Sequence, residues 1–154
     1  MKNNNQQPLI KRIKKVDGIF IAKFNKILEE GSIWDKKVIW EVKQGNKFIA
    51  DDNNALFVAY WENNISGFLT AYRLQRFDKR KAEILIYDVG VDKNFRQKGI
   101  GKVLISEVKK WAKEVEADEV WVLTNTSNLP ALALYKSSGE SIVESDVIMF
   151  TFKI

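Results

Sequence analysis

The run Val91-Asp-Lys-Asn-Phe-Arg96-Gln97-Lys98-Gly99-Ile100-Gly101-Lys102 brings two glycines and several basic side chains into one short stretch. Glycines at 99 and 101 let a ligand approach the backbone closely. A helix that begins here also opens with N–H groups lacking internal partners and with the positive end of its dipole. Arg96, Lys98 and Lys102 would add the charge that suits a diphosphate. Two familiar phosphate loops do not fit. A Walker A loop needs glycine where Arg96 stands and Ser or Thr where Val103 stands, and a dinucleotide fingerprint starting at Gly99 meets Leu104 instead of its last glycine. Taken alone, the loop is also compatible with an ordinary helix start carrying solvated charges.

Proton transfer is restricted by composition. The 154 residues contain no histidine and no cysteine, which removes thiol nucleophiles, Ser-His-Asp triads, disulfides and the usual zinc and iron sites. Asp, Glu, Tyr, Lys, a terminus or water must move any proton. Just upstream of the basic run, Glu83-Ile-Leu-Ile-Tyr-Asp88-Val89-Gly90-Val91 offers two carboxylates. Partial burial on a strand would raise the pKa of Asp88 toward a useful value. Glu83 lies further back and, by strand alternation, points to the opposite face unless a bulge reverses the parity. A solvated strand-entry charge is its plainer reading. Gly90, inside the strand, marks a bulge or a close backbone approach.

The elements that must hold these groups follow from periodicity. A short strand over Leu9–Lys15 precedes a helix ending at Gly31, and a second helix is expected over Lys36–Lys43. Ala55–Trp61 and Ile65–Tyr72 form a hairpin across Glu62-Asn-Asn64. Glu83–Val91 is a third strong strand. Gly99–Val115 has apolar positions at 103, 104, 108, 111, 112 and 115, the spacing of an amphipathic helix. Glu119–Thr124 is a strand, Leu129–Lys136 a helix, and the alternating tail Ile142–Ile154 at least one more strand. The passage from Glu83 to Thr124 is a right-handed β-α-β unit with parallel strands, and ligands in such sheets sit at the carboxyl ends of strands. The fold class is α+β (α/β).

With 25 Lys+Arg against 20 Asp+Glu, 45% hydrophobic residues and 29% charged residues, the chain reads as an ordinary globular protein. Residues 1–8 read as a flexible tail and residues 9–154 as one domain. The first residues lack the apolar stretch of a secretory signal, and no run is long enough to span a membrane, so a cytoplasmic location is expected. The net charge of +5 is mild. Arg, Lys and aromatic residues are not arranged as a stacking platform, so neither a nucleic-acid nor a membrane partner is expected.

The pattern Arg96-x-x-Gly99-x-Gly101 after a strand ending in Val91 resembles the GNAT superfamily of acetyl-CoA-dependent N-acetyltransferases. The superfamily's later signature, Asn-x-x-Ala-x-x-x-Tyr-x-x-x-Gly, stands here as Asn128, Ala131, Tyr135 and Gly139. The stretch Leu74–Asp88, the strand ending Val120–Thr124 and the closing Val147–Phe150 are similar to those of aminoglycoside 3-N-acetyltransferases. The resemblance implies a GNAT-type acyl-CoA fold, with a central mixed, mostly antiparallel sheet flanked by helices. It also implies acetyl-CoA as cosubstrate, no metal, and a small-molecule amine as acceptor.

Roles follow from the same resemblance. The backbone from Arg96 through Gln97, Lys98, Gly99, Ile100, Gly101 and Lys102 would bind the coenzyme A pyrophosphate, and the main chain of Val89, Gly90 and Val91 would pair with pantetheine. Tyr135 matches the general acid. A phenol with a pKa of about 10 can protonate a leaving thiolate whose acid lies near about 8.5. Its alternative is a core tyrosine on an apolar helix. Asn128 bonds the coenzyme, caps the helix before Pro130, or does both. Asp88, or secondarily Glu83, is the candidate base.

A polycationic acceptor calls for carboxylates, for which Glu29, Glu30, Asp35, Asp51, Asp52, Glu144 and Asp146 are available. Trp34, Trp40 and Trp61 either wall an acceptor pocket or belong to the core. Acetylation of a protein or peptide amine, or a non-catalytic acyl-CoA sensor, are the competing functions. The apolar run Val147–Phe152 leaves room for pairing across a homodimer.

Overall fold

A computed structural model describes residues 7–31, 39–139 and 142–153. The chain runs β1 (Leu9–Arg12), α1 (Gly18–Gly31), α2 (Val42–Ala50), β2 (Asn54–Trp61), β3 (Asn64–Leu74), β4 (Glu83–Val91), a 3-10 turn (Lys93–Phe95), α3 (Ile100–Glu114), β5 (Val120–Val122) and α4 (Leu129–Lys136). The five strands form one sheet in sequence order, β1-β2-β3-β4-β5. The first three pairings are antiparallel and β4 with β5 is parallel. This is the mixed, mostly antiparallel sheet that the resemblance implies.

Strand alternation divides the core between the two faces. Phe57, Ala59, Leu69, Ala71, Ile84 and Ile86 pack against Leu104, Ile105, Val108 and Trp111 of α3. On the other face, Leu56, Val58 and Phe68 pack against Ile21, Phe24 and Ile27 of α1 and Ile49 of α2. Both helices and strands thus bury the apolar side that their periodicity predicts.

Three expectations need correction. The second helix begins at Val42, not Lys36, and residues 36–38 lie outside the described part. Asn25 holds the Trp40 backbone outside the helix by a reciprocal pair, Trp40 N–H to Oδ1 at 2.8 Å and Nδ2 to the Trp40 carbonyl at 2.9 Å. Glu41 and Gln44 then close a capping box. Gly45, inside this helix, leaves room for Val16, whose Cγ2 would be 2.8 Å from an added Cβ. β5 is also shorter than expected, three residues rather than six.

The third correction concerns the tail. Residues 142–153 form no strand, and Ile142, Val143, Val147, Ile148, Met149, Phe150 and Phe152 are exposed. Alternating apolar residues are competent for a strand, but a strand exists only against a hydrogen-bonding neighbour, and this segment has none within the described chain.

Candidate active site

β4 carries the site because its two edges and its two ends differ. Along β3 its register runs from Gly67↔Val91 to Thr70↔Asp88, then resumes at Ala71↔Ile86. Tyr87 is the extra residue, a bulge that turns Tyr87 and Asp88 toward the same face. The expected irregularity at Gly90 lies three positions earlier, at Tyr87. Gly90 instead stands opposite Phe68, where an added Cβ would overlap that ring.

On the other edge β5 pairs only with Ile84, Leu85 and Ile86. Residues 87–91 therefore have no strand partner on that side among the described residues. An edge of this kind presents backbone donors and acceptors to an extended ligand. The edge leads into the basic loop. Asp92 accepts from the Asn94 N–H at 2.8 Å and starts the 3-10 turn, and Arg96 Nε donates to the Val91 carbonyl at 3.3 Å.

Gln97 and Gly99 adopt left-handed backbone angles, with φ of 61° and 77°. That turn delivers the chain to the first residue of α3. No side chain caps α3, and its first internal bond is from Val103 N–H to the Gly99 carbonyl at 3.1 Å. The opening amides thus face outward, with open space around Gly99. These features fit a pyrophosphate.

Two further glycines, Gly67 and Gly101, set packing. An added Cβ at Gly67 would be 2.8 Å from the Gly90 carbonyl and 3.1 Å from Ile100, and one at Gly101 would be 3.0 Å from Leu134. They let α3 begin close to the sheet and α4 cross close to α3. Lys98 is turned back, its Nζ 4.8 Å from the centre of the Trp61 ring and 5.7 Å from that of Phe95. Its charge stays beside the loop while a cation–π contact fixes its direction.

Asp88 is half-buried, and burial raises its pKa from the ordinary carboxylate value. The Thr70 hydroxyl, donating to Oδ2 at 3.4 Å, opposes that rise. Tyr135 projects from α4, which Asn128 caps by accepting the Ala131 N–H at 3.2 Å, with Pro130 in the first turn. Its phenol is held above its usual value, first by burial and then by the charge of Asp88. Tyr72 is shifted the same way, by burial, then Tyr87, then Asp88.

Tyr72 and Tyr87 meet edge to face at 5.5 Å, and Tyr72 continues to Phe48 at 5.6 Å. Tyr87 lies within the Leu74–Asp88 stretch that carries the resemblance; Thr70 and Tyr72 join Asp88 without belonging to any motif. Their signal in the sequence was only strand alternation, which cannot name cross-strand partners.

Glu83 stands apart from this group. The Tyr87 bulge does bring it to the face of Asp88, but five residues back, about 16 Å at about 3.3 Å per residue. It is 3% exposed. Its Oε1 lies 2.6 Å from Lys79 Nζ and 3.3 Å from Arg76. The Lys79 hydrogen bond, with Arg76, holds its pKa below the ordinary value against the cost of burial. It ties the loop before β4 to the sheet, an ion-paired strand entry rather than a solvated one.

Trp40 and Trp61 pack against the two core clusters. Asp51 accepts from Asn53, and the Asp52 carbonyl from Arg12. Trp34, Asp35 and the side chains of Glu29 and Glu30 lie outside the described residues. Glu144 and Asp146 are exposed on the tail. No cluster of three or more metal-binding side chains occurs among the described residues, and no described helix is long and apolar enough to cross a membrane.

A strand interrupted by a bulge, an open edge beyond it and a glycine turn into an uncapped helix together define an acyl-CoA-type fold, and the profile of the Acetyltransferase (GNAT) family matches residues 21–139. The chain belongs to that family. Among solved structures, it is similar to the aminoglycoside acetyltransferase meta-AAC0020 from an uncultured soil metagenomic sample. That protein in complex with trehalose superposes with a TM-score of 0.82 at 29% identity, over 96% of each chain. Its complex with sisomicin gives 0.81 at 28% identity.

Curated relatives include streptothricin acetyltransferase A of Bacillus subtilis (strain 168), 27% identical over 68% of this chain. Human N-acetyltransferase 8 is 28% identical over 60%. The chain spans 57% and 40% of these two relatives.

Proposed function

We propose that this chain is an N-acetyltransferase that moves the acetyl group of acetyl-CoA directly onto a primary amine of an aminoglycoside-like small molecule. The observation that carries the reading is the continuity of three features: the unpaired edge of β4 over 87–91, the left-handed turn at Gly99 and the outward amides opening α3. The sisomicin complex of the similar metagenomic enzyme supports an acceptor of this class.

Acetyl-CoA, when bound, supplies the acetyl group as a thioester. The α3 amides, with Arg96 and Lys102, bind the pyrophosphate. The main chain of Val89, Gly90 and Val91 pairs with the pantetheine arm and orients the thioester carbonyl. Asp88 accepts a proton from the amine, and Tyr135 gives its proton to the departing sulfur. A C–N bond forms and a C–S bond breaks. No covalent cysteine step is available, since the chain has no cysteine. The Tyr72 and Tyr87 rings line the approach to Asp88 and favour a cationic acceptor.

A homodimer belongs to this reading, because the exposed apolar residues of 147–152 form a segment that a second copy would cover. Light scattering on the intact protein, at concentrations spanning the association, tests it.

The experiment for the function is free-thiol release from acetyl-CoA with a panel of aminoglycosides, polyamines, amino acids and short peptides. Release stimulated by an aminoglycoside sustains the proposal. Stimulation by peptides alone moves the acceptor to a protein amine. Tight acetyl-CoA binding with no stimulation by any acceptor leaves a sensor.

A further inference from the structure

We propose that Thr70 is a positioning residue for the Asp88 carboxylate: its hydroxyl, delivered from the neighbouring strand by the bulge at Tyr87, anchors Oδ2 and leaves Oδ1 to face the acceptor amine. The inference rests on the role given to Asp88 above, and the test separates the two.

Three observations carry it. First, Thr70 and Asp88 are direct partners in the β3–β4 register, and the register breaks immediately beyond them. Without the bulge, the side chains on either side of this point would keep strict alternation. With it, Tyr87 and Asp88 share a face, and Asp88 stands over Thr70. Second, Thr70 is 4% exposed. A buried hydroxyl is costly without a partner, and the acceptor within reach is Asp88 Oδ2 at 3.4 Å. Hydrogen bonds in ligand-free sites are often long and tighten when the site fills. Third, β-branching restricts the Thr70 side chain to few rotamers, so the hydroxyl is held in place at little entropic cost.

The surroundings make the contact consequential. The charge of Asp88 is felt by two phenols, Tyr72 on β3 and Tyr135 on α4, and the Tyr87 ring beside it on β4 packs on Tyr72. None of these phenols offers the carboxylate a cation. Burial favours the protonated acid, and the Thr70 donor is the contact that favours the ionised one. Removing it should push the carboxyl's titration further up and free its rotation.

The test uses Thr70→Val, close in shape without the hydroxyl, and Thr70→Ser, which keeps it; Thr70→Ala replaces valine where that variant does not fold. Two quantities are read on each intact protein: the midpoint of the Asp88 carboxyl carbon by NMR titration without ligands, and the acid limb of kcat/KM. In Thr70→Val both move to higher pH, kcat/KM at the acid end falls by about 3- to 10-fold, and Thr70→Ser returns both toward the parent values. A carboxyl midpoint that does not move in the valine or alanine variant overturns the proposal, whatever happens to the rate. A midpoint that moves while the acid limb stays fixed upholds the Thr70 anchor and removes Asp88 as the base.

Discussion

Asp88 on β4 and Tyr135 on α4 are coupled through charge: burial first, and the Asp88 carboxylate second, raise the pKa of the phenol above its usual value. Asp88 lies beyond the last β4 residue that pairs with β5, Ile86. Burial raises both values, which leaves the phenol protonated and the carboxyl easier to protonate.

Asp88→Asn should lower turnover by about 10²- to 10⁴-fold and leave acetyl-CoA affinity near the parent value. Thiol release and calorimetry check the two halves. The parent protein should lose kcat/KM on the acid side. Because Asp88 must be ionised to act and its folded value lies above the ordinary 3.8, that limb falls at a higher pH than a solvated aspartate would give.

Tyr135→Phe should reduce kcat by about 10²-fold with little change in the KM for acetyl-CoA. The phenol acts in its protonated form, and its value is raised above 10.0. No alkaline loss from this group is therefore expected below pH 10, and a rate profile carried to high pH measures it.

Gly90→Ala should destabilise the protein, because its Cβ would enter the Phe68 ring. Over-packing of this kind costs about 1–3 kcal/mol. Thermal unfolding of Gly90→Ala, Phe68→Leu and the double variant reads the coupling. The double variant should recover part of the loss caused by Gly90→Ala, since leucine retreats from the added carbon.

Glu83→Gln should lower the melting temperature at neutral pH. The folded value of Glu83 is depressed, so its stabilisation is fully present above the ordinary 4.5 and disappears as pH falls through the lower folded value. The parent loses this contribution over that acid window. The glutamine variant lacks it throughout, and the two stability curves converge there. Neutral-pH turnover per folded molecule should be retained.

What could be read from the sequence depended on how far apart the cooperating residues lie. The spacing of Arg96, Gly99 and Gly101 is local, as is that of Asn128, Ala131 and Tyr135, and both runs point to their elements. Strands β2 to β4 and helices α1, α3 and α4 follow from apolar periodicity.

The bulge at Tyr87 is different. It exists only in the register between β3 and β4, and nothing in Ile86-Tyr87-Asp88 marks it, while Gly90 misleads because its small size serves Phe68 across the ladder. Thr70 and Tyr72 belong to the site through pairings over more than a dozen residues of chain. The tail 142–153 has a strand's alternation, yet alternation does not say where a partner is.

The short β5 has a consequence for motion. Amide protons of residues 87–91 that point away from β3 belong, in the free protein, to a strand edge, and they should exchange with solvent quickly although the strand sits in mid-sheet. An extended ligand lying along that edge would occupy the place of the missing strand. The same amides should then slow to the rates of a sheet interior, so the molecule completes its own β-structure only while a ligand is bound.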